Sequence, residues 1–352
     1  MKIDGKTSHN SPFIRFPEFT GEWEKCKIED ITDAVSSGKS KNHFSNGEYN
    51  LYGSTGIIGR TDKALYDGKL VLVARVGANA GFLQIINEPC GITDNTLILK
   101  PKGIDAFYLY YFLQHFNLNR LIFGSGQPLI TGGMLKKVKV SLGTISEQSK
   151  IVKFLSLLDE RIAVQSRLID RLQSLMIGIA QKIAHSNKPN VRISDCLECS
   201  SSVLQESEVN KTGKYPVYGA NGIVGYIDKY HTQNEAIYII KDGSGVGGVS
   251  YVTGKCSSTG TLNILQAKNG HSLKYLYYLL KVFNFVPYKT GMAIPHIYFK
   301  DYGKAKIFCP AYPEQLEYAK LLSSIDGNLR IALDSLKNFN LQKQYLLRHM
   351  LI

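Results

Sequence analysis

From Ile151 onward, apolar residues recur at alternating steps of four and three: Ile151, Leu155, Leu158, Ile162, Gln165, Ile169, Leu172, Met176, Ile179 and Ile183. That spacing is the seam of a helix that pairs with another helix, with Gln165 as its one polar break. A second seam lies 167 positions further on, at Tyr318, Leu322, Ile325, Leu329, Ala332, Leu336, Phe339, Lys343, Leu346 and Met350. Lys343 is its one charged break. Glu147-Gln148 and Glu314-Gln315 open the two segments, placing acidic character where a helix dipole favours it. At ~1.5 Å of rise per residue, ~39 residues make a rod about 58 Å long. One such stripe alone reads as an ordinary amphipathic core helix. Two matched stripes, each following a similar globular stretch, predict a pair of packed spacer helices.

The globular stretches also repeat. Tyr49-Asn-Leu-Tyr-Gly-Ser-Thr-Gly-Ile-Ile-Gly-Arg-Thr-Asp-Lys63 matches Tyr215-Pro-Val-Tyr-Gly-Ala-Asn-Gly-Ile-Val-Gly-Tyr-Ile-Asp-Lys229 at an offset of 166. Glycines at fixed places between short apolar pairs predict strands joined by tight turns. Apolar runs at Leu70–Val76 and Ala236–Lys241 end at Gly77 and Gly243, and strands follow at Leu97–Leu99 and Leu262–Leu265. Short helices are predicted at Phe107–His115 and Leu273–Val282, both containing Tyr-Leu-Tyr-Tyr. After each comes a glycine-containing loop, Gly124–Pro128 and Thr290–Pro295, and then a strand around Val138 or Ile307 that leads into a long helix. Two copies do not make a solenoid. They predict an α+β pseudo-dimer within one chain: head at 1–145, helix at 146–185, head at 186–312, helix at 313–352. His185–Pro189 is the polar linker between the copies, and residues 1 to about 20 read as a polar lead-in arm.

With 352 residues, 44% of them hydrophobic, the chain has material for two ordinary cores. Its net charge of +13 favours a polyanionic partner, nucleic acid before membrane. No stretch approaches the ~18 apolar residues of a membrane span, and the polar Met1–Asn10 does not form a signal peptide. Six scattered cysteines fit reduced thiols in the cytoplasm. Cys196-Leu-Glu-Cys199 is a lone CxxC with no second pair at zinc spacing, so no metal is expected.

Catalytic motifs are missing from the sequence. Gly243-Ser-Gly-Val-Gly-Gly248 fits a dinucleotide fingerprint in letters only, because strand-like Val249–Val252 follows where a helix must open; a hairpin turn is expected. No phosphate loop, His-Glu-x-x-His pair or Gly-x-Ser-x-Gly elbow occurs, and the carboxylates form no acid–base pair. An amine methyltransferase would carry an Asp/Asn-Pro-Pro-Tyr/Phe tetrapeptide, to which Asn87–Cys90 is a poor match. The chain is therefore expected to bind rather than catalyse.

Candidate DNA-contacting residues mix small polar and basic side chains in the loops. In the first copy they are Ser54, Thr55, Arg60, Arg75, Asn79, Arg120, Ser125 and Gln127; in the second, Asn221, Lys229, Lys241, Ser244, Lys289 and His296. Such groups contact phosphates through charge and base edges through paired hydrogen bonds, although turn chemistry alone also selects Gly, Ser and Asn. Ser36–Lys41 reads as a flexible basic loop able to touch phosphate. Trp23, the one tryptophan, reads as a core anchor, and the Tyr108–Tyr111 cluster as helix core rather than a stacking surface.

With the Phe16-Pro-Glu-Phe-Thr-Gly-Glu-Trp23 opening, the repeated Tyr-x-x-Tyr-Gly-x-x-Gly-Ile-x-Gly segments and the two Glu-Gln helix starts, the sequence resembles the specificity subunit of type I restriction-modification systems over nearly its whole length. The resemblance implies two target-recognition domains, each reading one half of a bipartite double-stranded DNA site, held apart by two antiparallel coiled-coil helices. It implies two adenine-N6 methyltransferase subunits as partners, which bind S-adenosylmethionine, and translocating restriction subunits that use ATP and Mg²⁺. No cofactor is implied in this chain. The unequal loops imply an asymmetric target, and Gly124–Pro128 is closer to the family's usual loop than Thr290–Pro295. A stand-alone DNA-binding protein and a surface adhesin are the rival readings.

Overall fold

The computed structural model describes residues 11–41, 46–122 and 128–352. The chain divides into two compact units, Met1–Gln165 with Ser335–Ile352, and Ser166–Asp334. Each long helix is therefore shared between the units.

In the first unit the order is β1 (Glu24–Lys27), β2 (Thr32–Ser37), β3 (Tyr49–Gly53), β4 (Gly56–Thr61), β5 (Lys69–Ala74), β6 (Leu83–Asn87), β7 (Cys90–Ile92), β8 (Thr96–Pro101), α1 (Ala106–Phe116), α2 (Gly132–Lys136), β9 (Lys139–Leu142) and the start of α3 (Ile145–His185). The second unit repeats the plan with β10 (Val191–Arg192), α4 (Ile193–Cys196), β11 (Leu197–Ser201), β12 (Tyr215–Gly219), β13 (Gly222–Ile227), β14 (Glu235–Ile240), β15 (Val249–Thr253), β16 (Ser257–Ser258), β17 (Leu262–Ala267), α5 (Leu273–Val282), α6 (Phe299–Tyr302), β18 (Lys306–Ile307) and the start of α7 (Tyr312–Met350). Strand orders correspond: β2-β8-β5-β6 with β11-β17-β14-β15, β4-β3-β7 with β13-β12-β16, and β1-β9 with β10-β18. The four-stranded sheets are antiparallel throughout, and β3–β7 and β12–β16 are the parallel pairs.

The continuous apolar run of β5 follows from burial on both faces, which removes the usual alternation. Val71 and Val73 face α1 in the main core, whereas Leu70 and Leu72 join Ile86, Cys90, Ile92 and Ile98 beneath the three-stranded sheet. In the second unit Ala236, Tyr238, Val252, Cys256, Leu262 and Ile264 form the corresponding inner layer.

Every seam position of both long helices is buried or half-buried. In the first unit Ile151, Leu155 and Leu158 near the start of α3 share a core with Leu346, Leu347 and Met350 near the end of α7, so the two segments run antiparallel there. In the second unit Ile169, Met176, Ala180 and Ile183 of α3 and Ala319, Leu322, Ile325, Leu329 and Ala332 of α7 are buried. The Glu-Gln starts have a more specific role than dipole matching. Gln148 Nε2 donates to the Gly143 carbonyl, and its Oε1 accepts from the Asp105 N–H at the cap of α1. Gln315 repeats both bonds, with Pro310 and Ser272. Glu147, 1% exposed, accepts two bonds from the Arg15 guanidinium and one from Trp23 Nε1.

Two sequence expectations need correction. The described part of the lead-in arm is packed, with Ile14 in the core and its N–H on the His349 carbonyl. Ser36–Lys41 is no flexible loop: Ser36 and Ser37 end β2, Gly38 and Ser40 donate to the Thr96 and Ile92 carbonyls, and a Cβ on Gly38 would lie 2.3 Å from the Ile92 oxygen. That close approach is why the position is glycine.

Candidate nucleic-acid interface

At one edge of each head, two turns and a proline loop are joined through their backbones. In the first unit the Arg75 N–H donates to the Asn95 carbonyl, the Ile130 N–H to Arg75, and the Gly77 N–H to Pro128. Ser54 Oγ donates to the Asn95 carbonyl at 3.3 Å, tying the β3–β4 turn to the same point. In the second unit the Lys241 N–H donates to Thr261, the Ile297 N–H to Lys241, and the Gly243 N–H to Pro295. Arg75 and Lys241 therefore occupy one position, each a cation where a central strand runs into its turn. Gly77 and Gly243 sit at φ 78° and 94°, a left-handed conformation that favours glycine.

Arg75 Nη1 donates to Ser37 Oγ at 3.0 Å, while its buried Nε finds no partner among the described residues. Thr55 is exposed and Asn79 sits exposed in the β5–β6 turn. Asn79 lines a groove of about 500 Å³ with Gln114, Asn117 and Asn119, an amide-rich surface that the loop-centred reading missed because these residues lie at the end of α1. Arg120 is exposed beside it, its guanidinium 5.4 Å from the centre of the Phe116 ring. Arg60 is differently placed. Its guanidinium donates to the Gly47 and Glu48 carbonyls and to Asn50 Oδ1, so it holds the entry to β3. Ser125 and Gln127 lie outside the described residues.

In the second unit Asn221 and Ser244 are exposed on the β12–β13 and β14–β15 turns. The β14–β15 connection is the hairpin expected for Gly243–Gly248. Lys289 is exposed near the proline loop, and His296 Nδ1 meets Asp242 Oδ1 at 2.7 Å. Lys229 lies beyond the far end of β13, its carbonyl accepting from Ser257 Oγ, and so does not join the turn cluster. Apolar side chains also project at these edges: Ile57 and Ile223 occupy matching positions at the starts of β4 and β13, and Met292 and Ile294 stand on the proline loop. A further basic surface was only partly foreseen, a cleft of about 440 Å³ lined by Lys39, Lys41 and Lys63 with Asp62.

The tyrosine clusters are core. Tyr108 and Tyr275 are fully buried and donate to the Ser141 and Phe308 carbonyls. Burial pushes both phenols well above their usual range. Among the described residues no helix is long and apolar enough to cross a membrane.

A family model for the type I restriction modification DNA specificity domain matches this chain twice, over residues 20–174 and 186–338. A putative type I specificity subunit of Mycoplasma genitalium is 26% identical over 256 residues, 65% of this chain and 66% of that protein. A putative type I restriction enzyme specificity subunit of Haemophilus influenzae is 25% identical over 123 residues, 34% of this chain and 32% of that protein. A type I restriction enzyme specificity subunit of Escherichia coli is 28% identical over 112 residues, 32% and 28% of the two chains. The aligned stretches thus span just under two thirds of the first relative and about a third of the others. In fold, the crystal structure of the type I restriction-modification S subunit from M. genitalium matches with a TM-score of 0.73 at 19% identity, covering 97% of this chain and 99% of that one. A structure concerned with complex assembly and conformational transition of the type I R-M system matches with a TM-score of 0.55 at 13% identity, covering 94% and 97%. Since the two matched segments take in most of the sequence, the chain belongs to the type I restriction-modification DNA specificity family.

Proposed function

We propose that this chain is the DNA-specificity subunit of a type I restriction-modification complex and itself performs no catalysis. The observation that carries the reading is the turn cluster built twice on one backbone plan with unlike side chains. Arg75 faces one target and Lys241 the other; Ser54 and Thr55 are replaced by Ala220 and Asn221. Residues 1–145 and 186–312 would each act as a target-recognition domain on double-stranded DNA. Because the copies differ, the two half-sites differ, and the target is bipartite and asymmetric.

In this reading Arg75, Lys241 and Lys289 neutralise phosphates, while Asn79, Asn221, Ser54 and Ser244 reach base edges. Exposed Ile57, Ile223 and Met292 suit contact with thymine methyl groups. In this reading the two long helices would set the distance between half-sites, as dimer geometry does for two-fold DNA readers.

The expected protein partners are two adenine-N6 methyltransferase subunits, carrying S-adenosylmethionine, and restriction subunits that use ATP and Mg²⁺, all in the cytoplasm. A docking surface of suitable chemistry lies on the first unit. Phe154, Leu157 and Val164 of α3 are exposed along a groove of about 690 Å³ completed by Phe339 and Gln342 of α7. In this reading the stripe is covered by a methyltransferase subunit in the complex.

Co-expression with the adjacent methyltransferase gene in a methylation-free host, followed by sequencing for N6-methyladenine, tests the proposal. A split, asymmetric motif with a fixed gap supports it. Tight sequence-specific DNA binding by the chain alone, without a methyltransferase complex, would favour the stand-alone binder.

A further inference from the structure

The second unit gathers Cys196, His271 and Cys309, which are far apart in the sequence, so that one ligand atom from each lies within 4.8 Å of the others. Cys196 and Cys309 are buried and His271 is half-buried. Cys309 Sγ is 3.6 Å from His271 Nδ1. A tetrahedral zinc ion with Zn–S near 2.3 Å and Zn–N near 2.0–2.1 Å separates a thiolate and an imidazole nitrogen by about 3.6 Å. The observed spacing is that edge.

The lone CxxC seen in the sequence is divided. Cys199 Sγ turns to the Ser200 carbonyl, while Cys196 ends α4 and faces the other two residues. The backbones that carry the cluster are fixed. Asn190 grips Cys309 at two points, accepting from its N–H and donating to its carbonyl. The Cys196 carbonyl accepts from Lys268 N–H, and the His271 N–H donates to the Lys268 carbonyl.

The internal repeat supplies a control within the same chain. Tyr108 on the Ser141 carbonyl corresponds to Tyr275 on the Phe308 carbonyl, so Cys309 stands where the first unit has Leu142. Gln148 on the Asp105 N–H corresponds to Gln315 on the Ser272 N–H, so His271 stands at Ile104. The strand pairs Thr32↔Pro101 and Leu197↔Ala267 correspond, so Cys196 stands at Ile31. Ile31, Ile104 and Leu142 fill this place with hydrocarbon in the main core of the first unit. The fold therefore needs only apolar packing here, and two thiols and an imidazole at this place are a feature of the second unit alone.

We propose that Cys196, His271 and Cys309 bind a zinc ion, the two thiolates balancing its charge and a water completing the tetrahedron on the open side of His271. The ion would clamp the end of α4, the cap of α5 and the segment just before α7, fixing the second head to the base of its helix.

The test uses the full chain, expressed without added chelator, equilibrated with one equivalent of Zn²⁺ and desalted. Metal analysis should find about one zinc per chain in the parent and in Cys199→Ser. The triple variant Cys196→Ile, His271→Ile, Cys309→Leu, which copies the first unit, should remain folded by circular dichroism and bind none. Cobalt substitution should give thiolate-to-metal charge-transfer absorption in the parent only. A parent that retains no zinc, zinc retained equally by the triple variant, or a Cys196–Cys309 disulfide peptide from an anaerobic preparation would overturn the proposal.

Discussion

Lys343 Nζ lies 2.6 Å from Asp159 Oδ1, so the one charged break in the second seam is answered by a carboxylate on the first long helix. Asp159 also accepts from Tyr111 Oη at 2.8 Å, and the Lys343 ammonium is 5.4 Å from the centre of that ring. The break thus fastens α1, α3 and α7 of the first unit at one place. Lys343→Met should cost roughly 1.5–3 kcal/mol, the range for a hydrogen bond to a charged group. Urea unfolding of Lys343→Met, Asp159→Asn and the double variant checks this, with the double variant costing less than the two singles together.

The seam, the repeat and the succession of the central strands along the chain were legible in the sequence because periodicity directly reports which faces are buried. Both short helices and the central strands fall within a residue or two of their expected places. Edge strands such as β6 and β7 were not legible, since Leu83–Asn87 and Cys90–Ile92 are short and the partner of β7, β3, is remote in the chain. Individual roles were harder still. Arg60 looks like any loop arginine until its three bonds to residues 47–50 are seen. The Cys196, His271 and Cys309 grouping has no spacing signature, because three separate elements bring it together.

Gln148 and Gln315 each bridge the start of a long helix to the cap of an earlier one, α1 and α5 respectively. Changing either to Leu leaves a buried N–H at Asp105 or Ser272 and a carbonyl at Gly143 or Pro310 without its partner. A loss of about 1–3 kcal/mol is expected for each variant. Calorimetry of the full chain should show the loss for both, since the two clamps are equivalent.

His115 gives a pH dependence of definite sign. Burial, then the charges of Arg348, Arg120 and His349, lower its pKa from the ordinary 6.5. Below about 6.5 the unfolded chain binds this proton and the folded chain resists it, so stability is lost as the pH drops through that value. It is regained above it. His115→Gln should flatten the dependence, read from urea midpoints at pH 5.5 and 7.5, whereas an unchanged slope would assign it to other groups.

Arg75→Ala and Lys241→Ala should each weaken DNA binding in a salt-dependent way. Each phosphate contact removed lowers the log–log salt slope by roughly 1. Titrations of the methyltransferase complex at several salt concentrations check this. A salt-independent loss would point to misfolding.

Replacing residues 1–145 by the corresponding head of another specificity subunit, followed by mapping of N6-methyladenine, tests the division of labour most directly. One half of the bipartite motif should change, while the other half and the length of the gap stay as they were. Altered bases in both halves, or a changed gap with both long helices intact, would contradict it.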